Sequence, residues 1–189
     1  MKRESFNQVQ RRRVWILVFL AVVFFIIDAA SKYWVDQHLI HIRYASPFYP
    51  FGGIGVFQNF LGIDFAINKA SNTGGAWSLF SAYPKALLVA RIAIILSLLT
   101  YALFFNKDRK RDLPFMLILT GAAANIVDTF IYGSVVDMFH FVLWGYSFPI
   151  FNVADMLIFF GVTIMIFQEL LKKVRSHAAQ PSKRLGKYS

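Results

Sequence analysis

The stretch VWILVFLAVVFFIIDAASKYWV, Val14 to Val35, decides the fold class. At 1.5 Å per helical residue it is long enough to cross a hydrocarbon layer of about 30 Å, and only Asp28 and Lys32 interrupt it. Three more stretches of the same kind follow. One runs from Pro84 to Phe105 and contains Arg91; another runs from Leu113 to Ile131, behind Asp112, and contains Asn125 and Asp128. The last starts near Asn152, just after Pro149, and ends near Leu171. The pattern predicts an all-α membrane protein with four transmembrane helices.

Composition agrees. The chain has 189 residues, a length expected of one domain, with 57% hydrophobic and only 16% charged residues and a mean hydropathy of +0.52. Soluble domains carry roughly 25% charged residues. Phe alone supplies 21 residues, which excludes disorder and collagen-like or coiled-coil structure. With no cysteine, a disulfide scaffold, a thiolate metal site, a thiol nucleophile and a lipidated cysteine on this chain are all excluded.

The net charge of +10 would suggest nucleic acid in a soluble protein, but its placement points to a membrane and no nucleic-acid partner is expected. Lys2, Arg3 and Arg11–Arg13 precede the first span. Lys107, Arg109, Lys110 and Arg111 follow the second, and Lys172, Lys173, Arg175, Lys183, Arg184 and Lys187 follow the fourth. Those are fifteen of the 20 Lys and Arg, and four spans put them all on one side. The positive-inside rule makes that side, with both termini, cytoplasmic. Ala29-Ala30-Ser31 has the small residues of a signal-peptide cleavage site. The run before it is long for such a peptide, however, and its loss would break the charge alternation, so the first span is expected to be retained. Residues 1–175 are read as a single membrane domain and 176–189 as a basic, disordered cytoplasmic tail.

The outer connection, about 36–83, is too long for a plain loop. Val56–Ile67 alternates loosely between glycines and is read as two or three short strands forming a small sheet at the outer surface. An interfacial segment anchored by Phe and Tyr is the plainer alternative.

Ionisable groups inside spans are costly and therefore mark candidate sites. Asp28 lies about 21 Å and Lys32 about 27 Å into the first span. Asp128 is one turn from the outer end of the third span, Asp137 follows it in a connection of about 20 residues, and Asp155 opens the fourth. All five sit in the outer third or at the outer boundary. Plainer readings stand beside each. Asn152 and Asp155 have the spacing of a helix cap and its capping-box partner, and Asp28 and Lys32, four residues apart, can neutralise each other. Asn125 and Asp128 need partners within the bundle. Arg91 can snorkel outward or pair with a carboxylate. The four histidines lack ligand spacing, so no metal and no cofactor is expected.

Two aspartates sharing a proton can activate water, one as base and the other polarising a carbonyl. Asp155 can supply one member; spacing does not choose between Asp128 and Asp137 for the other. A proton-coupled small membrane carrier also uses intramembrane carboxylates, but four short spans without inverted repeats suit it poorly.

Four segments, in order over nearly the whole chain, resemble the lipoprotein signal peptidases (signal peptidase II). They are Asp28-Ala29-Ala30-Ser31-Lys32, Asn72-Thr73-Gly74-Gly75-Ala76-Trp77, Gly121 to Asp128 with Gly133-Ser134-Val135-Val136-Asp137, and Phe151-Asn152-Val153-Ala154-Asp155. The resemblance implies a membrane aspartic endopeptidase of the bacterial inner membrane, its active site facing outward, in which Asp137 and Asp155 are the catalytic dyad. Asn72 and Gly74 would lie near substrate; Asn125, Asp128 and Asn152 would support the dyad; Asp28 and Lys32 would be structural. The implied partners are membrane lipid and a diacylglyceryl-modified prolipoprotein, cut just before its lipidated cysteine, with a monomer favoured. The implied fold is four transmembrane helices with a small extracytoplasmic β-cradle. The chain departs from the family pattern at Thr129, where an arginine is usual, and at Gly75, Trp77 and Met156. Arg91 is the candidate to replace the missing cation.

Overall fold

The computed structural model describes residues 2–73 and 82–178. Among these residues four helices are long and apolar enough to cross a membrane. Helix α1 spans Lys2–His38, α2 Pro84–Thr100, α3 Asp112–Tyr132 and α4 Val153–Ala178. Pro84 sits where the first helical turn needs no N–H, and α2 ends in a π-helical turn, Tyr101–Phe105. Gly133 closes α3 in the left-handed conformation, φ 74°.

Helix α3 is the centre of the bundle and packs against α1, α2 and α4. Its inward face buries Phe115, Leu117, Ile118 and Ala124, whereas Trp15, Phe19, Phe104 and Phe167 on the other helices point outward. Such an inside-out pattern suits a lipid solvent, where helices associate by close packing rather than by the hydrophobic effect. Small residues supply that packing between α3 and α4. A Cβ on Gly121 would collide with the Ala154 carbonyl oxygen, and one on Gly161 would lie 2.6 Å from Ile118 Cγ1.

A four-stranded antiparallel sheet caps one end, in the order β1 (Ile54–Phe60), β2 (Ile63–Asn72), β3 (Val135–Leu143) and β4 (Tyr146–Ser147). The long connection between the first and second spans supplies β1 and β2, as expected from its sequence. The connection between the third and fourth spans, read there only as a short return, supplies β3 and β4. Both hairpins turn on two residues with positive φ, Leu61-Gly62 and Trp144-Gly145, the geometry that matches strand twist. Phe65, Phe141 and Phe151 stack along one face of the sheet. On the other face Val136 and Met138 pack with Val35 of α1 in a buried cluster.

The basic segments gather at the far end of the bundle. Arg13 donates to the Arg109 carbonyl and pairs with Asp112 at 3.5 Å, and Arg111 pairs with Glu169 at 2.8 Å. With 21 residues in α3, about 30 Å separates this end from the sheet.

Candidate active site

The site forms where the sheet meets the bundle, and a buried cation anchors it. Lys32, fully buried on α1, places its ammonium 2.6 Å from Asp28, 2.7 Å from Asp128 and 2.9 Å from Asn125 Oδ1. The Asp28–Lys32 pair expected from the sequence is therefore present, but it is half of a larger network. Asp28 also accepts from the Ala154 N–H at 2.7 Å, an anion at the positive end of α4. Asp128 accepts from the Val136 N–H at 3.3 Å and so ties α3 to β3. One lysine thus joins α1 and α3 directly and reaches α4 and the sheet through its carboxylates.

Asn152 makes the next layer. Its Oδ1 accepts from the Asp155 N–H at 2.8 Å, and its own N–H donates to Asp155 Oδ2 at 3.3 Å, a reciprocal capping box at the start of α4. Its Nδ2 donates to Asp137 Oδ1 at 2.7 Å and also reaches Asn125 Oδ1 and the Val136 carbonyl. Asn125 Nδ2 donates to Asp155 Oδ1 at 2.8 Å. On β2, Asn72 Nδ2 donates to Asp137 Oδ2 at 3.1 Å. The strand register explains that contact: Ala70 pairs with Asp137 and Asn72 with Val135, so the two polar side chains are diagonal neighbours on one face.

Asp137 and Asp155 both line one cavity of about 820 Å³, with Asn72 and Asn125 beside them and an otherwise largely apolar wall. Asp137 is 2% exposed. Burial, and after it the charge of Asp155, pushes its carboxyl up to about 7, against the hydrogen bonds from Asn72 and Asn152 and the charge of Lys32. A carboxyl that still holds its proton near neutrality, beside a second carboxylate in one cavity, can serve as acid while its neighbour serves as base. Among the described residues no group of His, Asp and Glu has the geometry to hold a metal.

Of the residues expected at the site, Asp137, Asp155, Asn72, Asn125 and Asn152 meet directly, while Asp28, Lys32 and Asp128 stand behind them. Gly74, Gly75 and Trp77 lie outside the described residues. Thr129 donates to the Asn125 carbonyl within its own helix, and Met156 lines the cavity. Arg91 lines the cavity too, but among the described residues it pairs with no carboxylate. A cluster in the sheet had no forewarning in the sequence. Buried His140 contacts Asn68 Oδ1 through Nδ1 at 3.1 Å and Ser147 Oγ through Nε2 at 2.9 Å. Asn68 in turn donates to the Pro50 and Phe51 carbonyls. These bonds fasten the preceding loop and β4 to the strand that carries Asp137.

The signal peptidase (SPase) II family profile matches residues 20–171. The lipoprotein signal peptidase of Psychromonas ingrahamii is 32% identical over 170 residues, covering 87% of this chain and 90% of that protein. That of Deinococcus radiodurans is 32% identical over 180 residues, covering 91% and 88%. Two solved structures of bacterial membrane enzymes, obtained by the in meso method, share the fold. One superposes with a TM-score of 0.68 at 23% identity, covering 91% of this chain and 95% of that chain; the other gives 0.65 at 25% identity, covering 83% and 94%.

Proposed function

The chain belongs to the signal peptidase II family, and we propose that it cleaves lipid-modified prolipoproteins just before the diacylglyceryl cysteine, with Asp137 and Asp155 as a water-activating dyad. A bacterial membrane peptidase acting on lipoprotein signal peptides follows from the family; the dyad and the lipidated substrate are our reading. The observation that carries it is Asn152, one amide that holds Asp137 by its nitrogen and caps Asp155 by its oxygen beside a single cavity.

In this mechanism Asp137, whose proton burial helps it hold up to about pH 7, hydrogen-bonds the scissile carbonyl in its protonated form. Asp155, ionised, takes a proton from a water molecule as the water oxygen attacks the carbonyl carbon. As the carbon–nitrogen bond breaks, the proton held by Asp155 passes to the leaving amine, and the dyad returns to its one-proton state. Lys32 balances the charge of the surrounding carboxylates. The apolar cavity walls suit a substrate that carries acyl chains. The clustering of basic residues at the opposite end of the bundle supports a cytoplasmic placement of that end and an outward-facing dyad. No observation favours the carrier alternative.

The test is a gel-shift cleavage assay in detergent or lipid, comparing lipidated with unlipidated precursor. Cleavage should require the lipid. Asp137→Asn and Asp155→Asn should each yield folded, membrane-inserted protein with almost no turnover. Near-normal cleavage by either purified variant would sink the dyad.

A further inference from the structure

Arg91 is the charged cavity residue that the mechanism does not use. It lies in the second turn of α2, half-buried, and its side chain lines the cavity that holds the dyad. Among the described residues it makes no hydrogen bond or ion pair. A guanidinium has five N–H donors and cannot shed its charge, and in an apolar setting those donors need acceptors. The neighbours of Arg91 along α2 in the cavity wall, Ile94, Ile95 and Leu98 at i+3, i+4 and i+7, offer none from side chains. A ligand in the cavity can bring the acceptors.

Depth narrows their chemistry. Arg91 is seven residues beyond Pro84, the start of α2 at the sheet end, and hence about 10 Å down the helix. The long stem can lift the head group by a few ångströms, which brings it to the level where a bilayer lipid's glycerol esters meet its acyl chains. A phosphate headgroup would lie higher. Ester carbonyls are neutral acceptors, and the planar fork of an arginine can bridge two at once.

We propose that Arg91 is a substrate-recognition residue that binds the ester carbonyl oxygens of the diacylglyceryl group and so sets the depth at which the lipidated cysteine enters the cavity. The assignment rests on the lipidated-substrate reading above. It places Arg91 in binding and outside the bond-breaking step, and it departs from the expectation that this arginine holds the carboxylates.

The experiment uses a fluorescent S-diacylglyceryl-cysteinyl peptide that begins at its lipidated cysteine and has no bond to cleave. A matched probe replaces both esters by ethers, which removes the carbonyls and keeps the chains. Binding of each probe to the full chain in nanodiscs is measured for wild type, Arg91→Gln and Arg91→Lys. Arg91→Gln should weaken binding of the diester probe about tenfold or more, the scale of a lost charge-assisted hydrogen bond. Wild type should bind the diether probe as weakly as Arg91→Gln binds the diester, and the diether should be indifferent to the substitution. Arg91→Lys keeps the charge without the fork and should fall between; it decides the question if the glutamine variant does not fold. With cleavable lipidated precursor, the same loss should appear in KM with kcat within about twofold of wild type.

Equal diester binding by wild type and both variants overturns the proposal. So does an equal loss for the two probes, which would indicate packing, or a loss confined to kcat. Displacement of the probe by vesicles of a diether phosphatidylglycerol, which has the phosphate but no ester carbonyls, from wild type but not from Arg91→Gln would assign the arginine to a phosphate headgroup instead. If wild type cleaves no lipidated precursor, the proposed function fails while the binding comparison still decides Arg91.

Discussion

Replacing Asp137 by asparagine should abolish cleavage and, above neutral pH, make the protein more stable. The carboxyl ionises near 3.8 in the unfolded chain and at about 7 in the native protein, because burial and Asp155 oppose its charge. Between those two values the native state holds the extra proton, so stability falls as pH rises. Above about 7 the penalty is complete, and the rise from 3.8 to about 7 corresponds to about 4 kcal/mol. Asparagine carries no such penalty at any pH. It has a cost of its own, since its NH2 must face one of two amide donors, Asn152 Nδ2 at 2.7 Å or Asn72 Nδ2 at 3.1 Å. A lost hydrogen bond in a buried site costs about 1–3 kcal/mol. The net gain above pH 7 is therefore about 1–3 kcal/mol. At pH 5 only about 1–2 kcal/mol of the penalty has accrued, which the asparagine's own cost roughly offsets, and the two proteins should be nearly equal.

The assay is thermal unfolding in detergent, followed by intrinsic tryptophan fluorescence, at pH values from 5 to 9. The variant's Tm advantage should be near zero at pH 5 and grow through 7 to several degrees, at about 2–4 °C per kcal/mol for a chain of this size. A difference that does not vary with pH would refute the reasoning, as would a variant that falls further behind as pH rises. Either result would mean that Asp137 is already ionised in the neutral range.

The same titration should appear in activity. If the working form of the dyad carries one proton, kcat/KM should decline above an apparent pKa near 7, and a profile still rising at pH 9 would contradict it. Lys32→Met should be severely destabilising, because it leaves Asp28 and Asp128 buried at 2.6 and 2.7 Å from a cation that is gone. The loss should be about 3–5 kcal/mol by thermal unfolding, with part of it recovered by adding Asp128→Asn.

The spans were legible because each is a long apolar run whose meaning needs no knowledge of the neighbouring helices. The polar residues within them were legible for the same reason: Asp28, Lys32, Asn125 and Asp128 are conspicuous against Leu, Ile, Val and Phe. Their partners were not. The i, i+4 pair on α1 can be read locally, but Asp128 and Asn125 approach Lys32 from another helix, and no local pattern sets which face α3 turns toward α1. Strand β3 was missed although Val135, Val136, Phe139, Phe141 and Val142 are strand formers and Trp144-Gly145 is a turn signal. By length the segment reads as a connection, and its pairing partner β2 lies two membrane spans earlier in the chain. Without that pairing the adjacency of Asn72 and Asp137 has no local signature. Arg91 stands apart from this network, since among the described residues it forms no ion pair. A lone cation in a span invites the nearest carboxylates as partners, but these were already engaged by Lys32 and by the asparagines.

The capping reading of Asn152 and Asp155 and the catalytic reading turn out to be one geometry. A capping box obliges the acidic residue at the third helical position to fold back toward the N–H of the cap. That is the direction of the segment after β4, which Phe151 bridges to Phe139 of β3, so the local rule for starting a helix aims Asp155 at the strand that carries Asp137. The box uses only the oxygen of the Asn152 amide. Its nitrogen remains to donate, and it reaches Asp137 at 2.7 Å. An aspartate or serine cap would start the helix equally well but would have no N–H to offer the second carboxylate. Asparagine is the cap that meets both demands, which is why a residue with an ordinary structural explanation also holds the two acids in register.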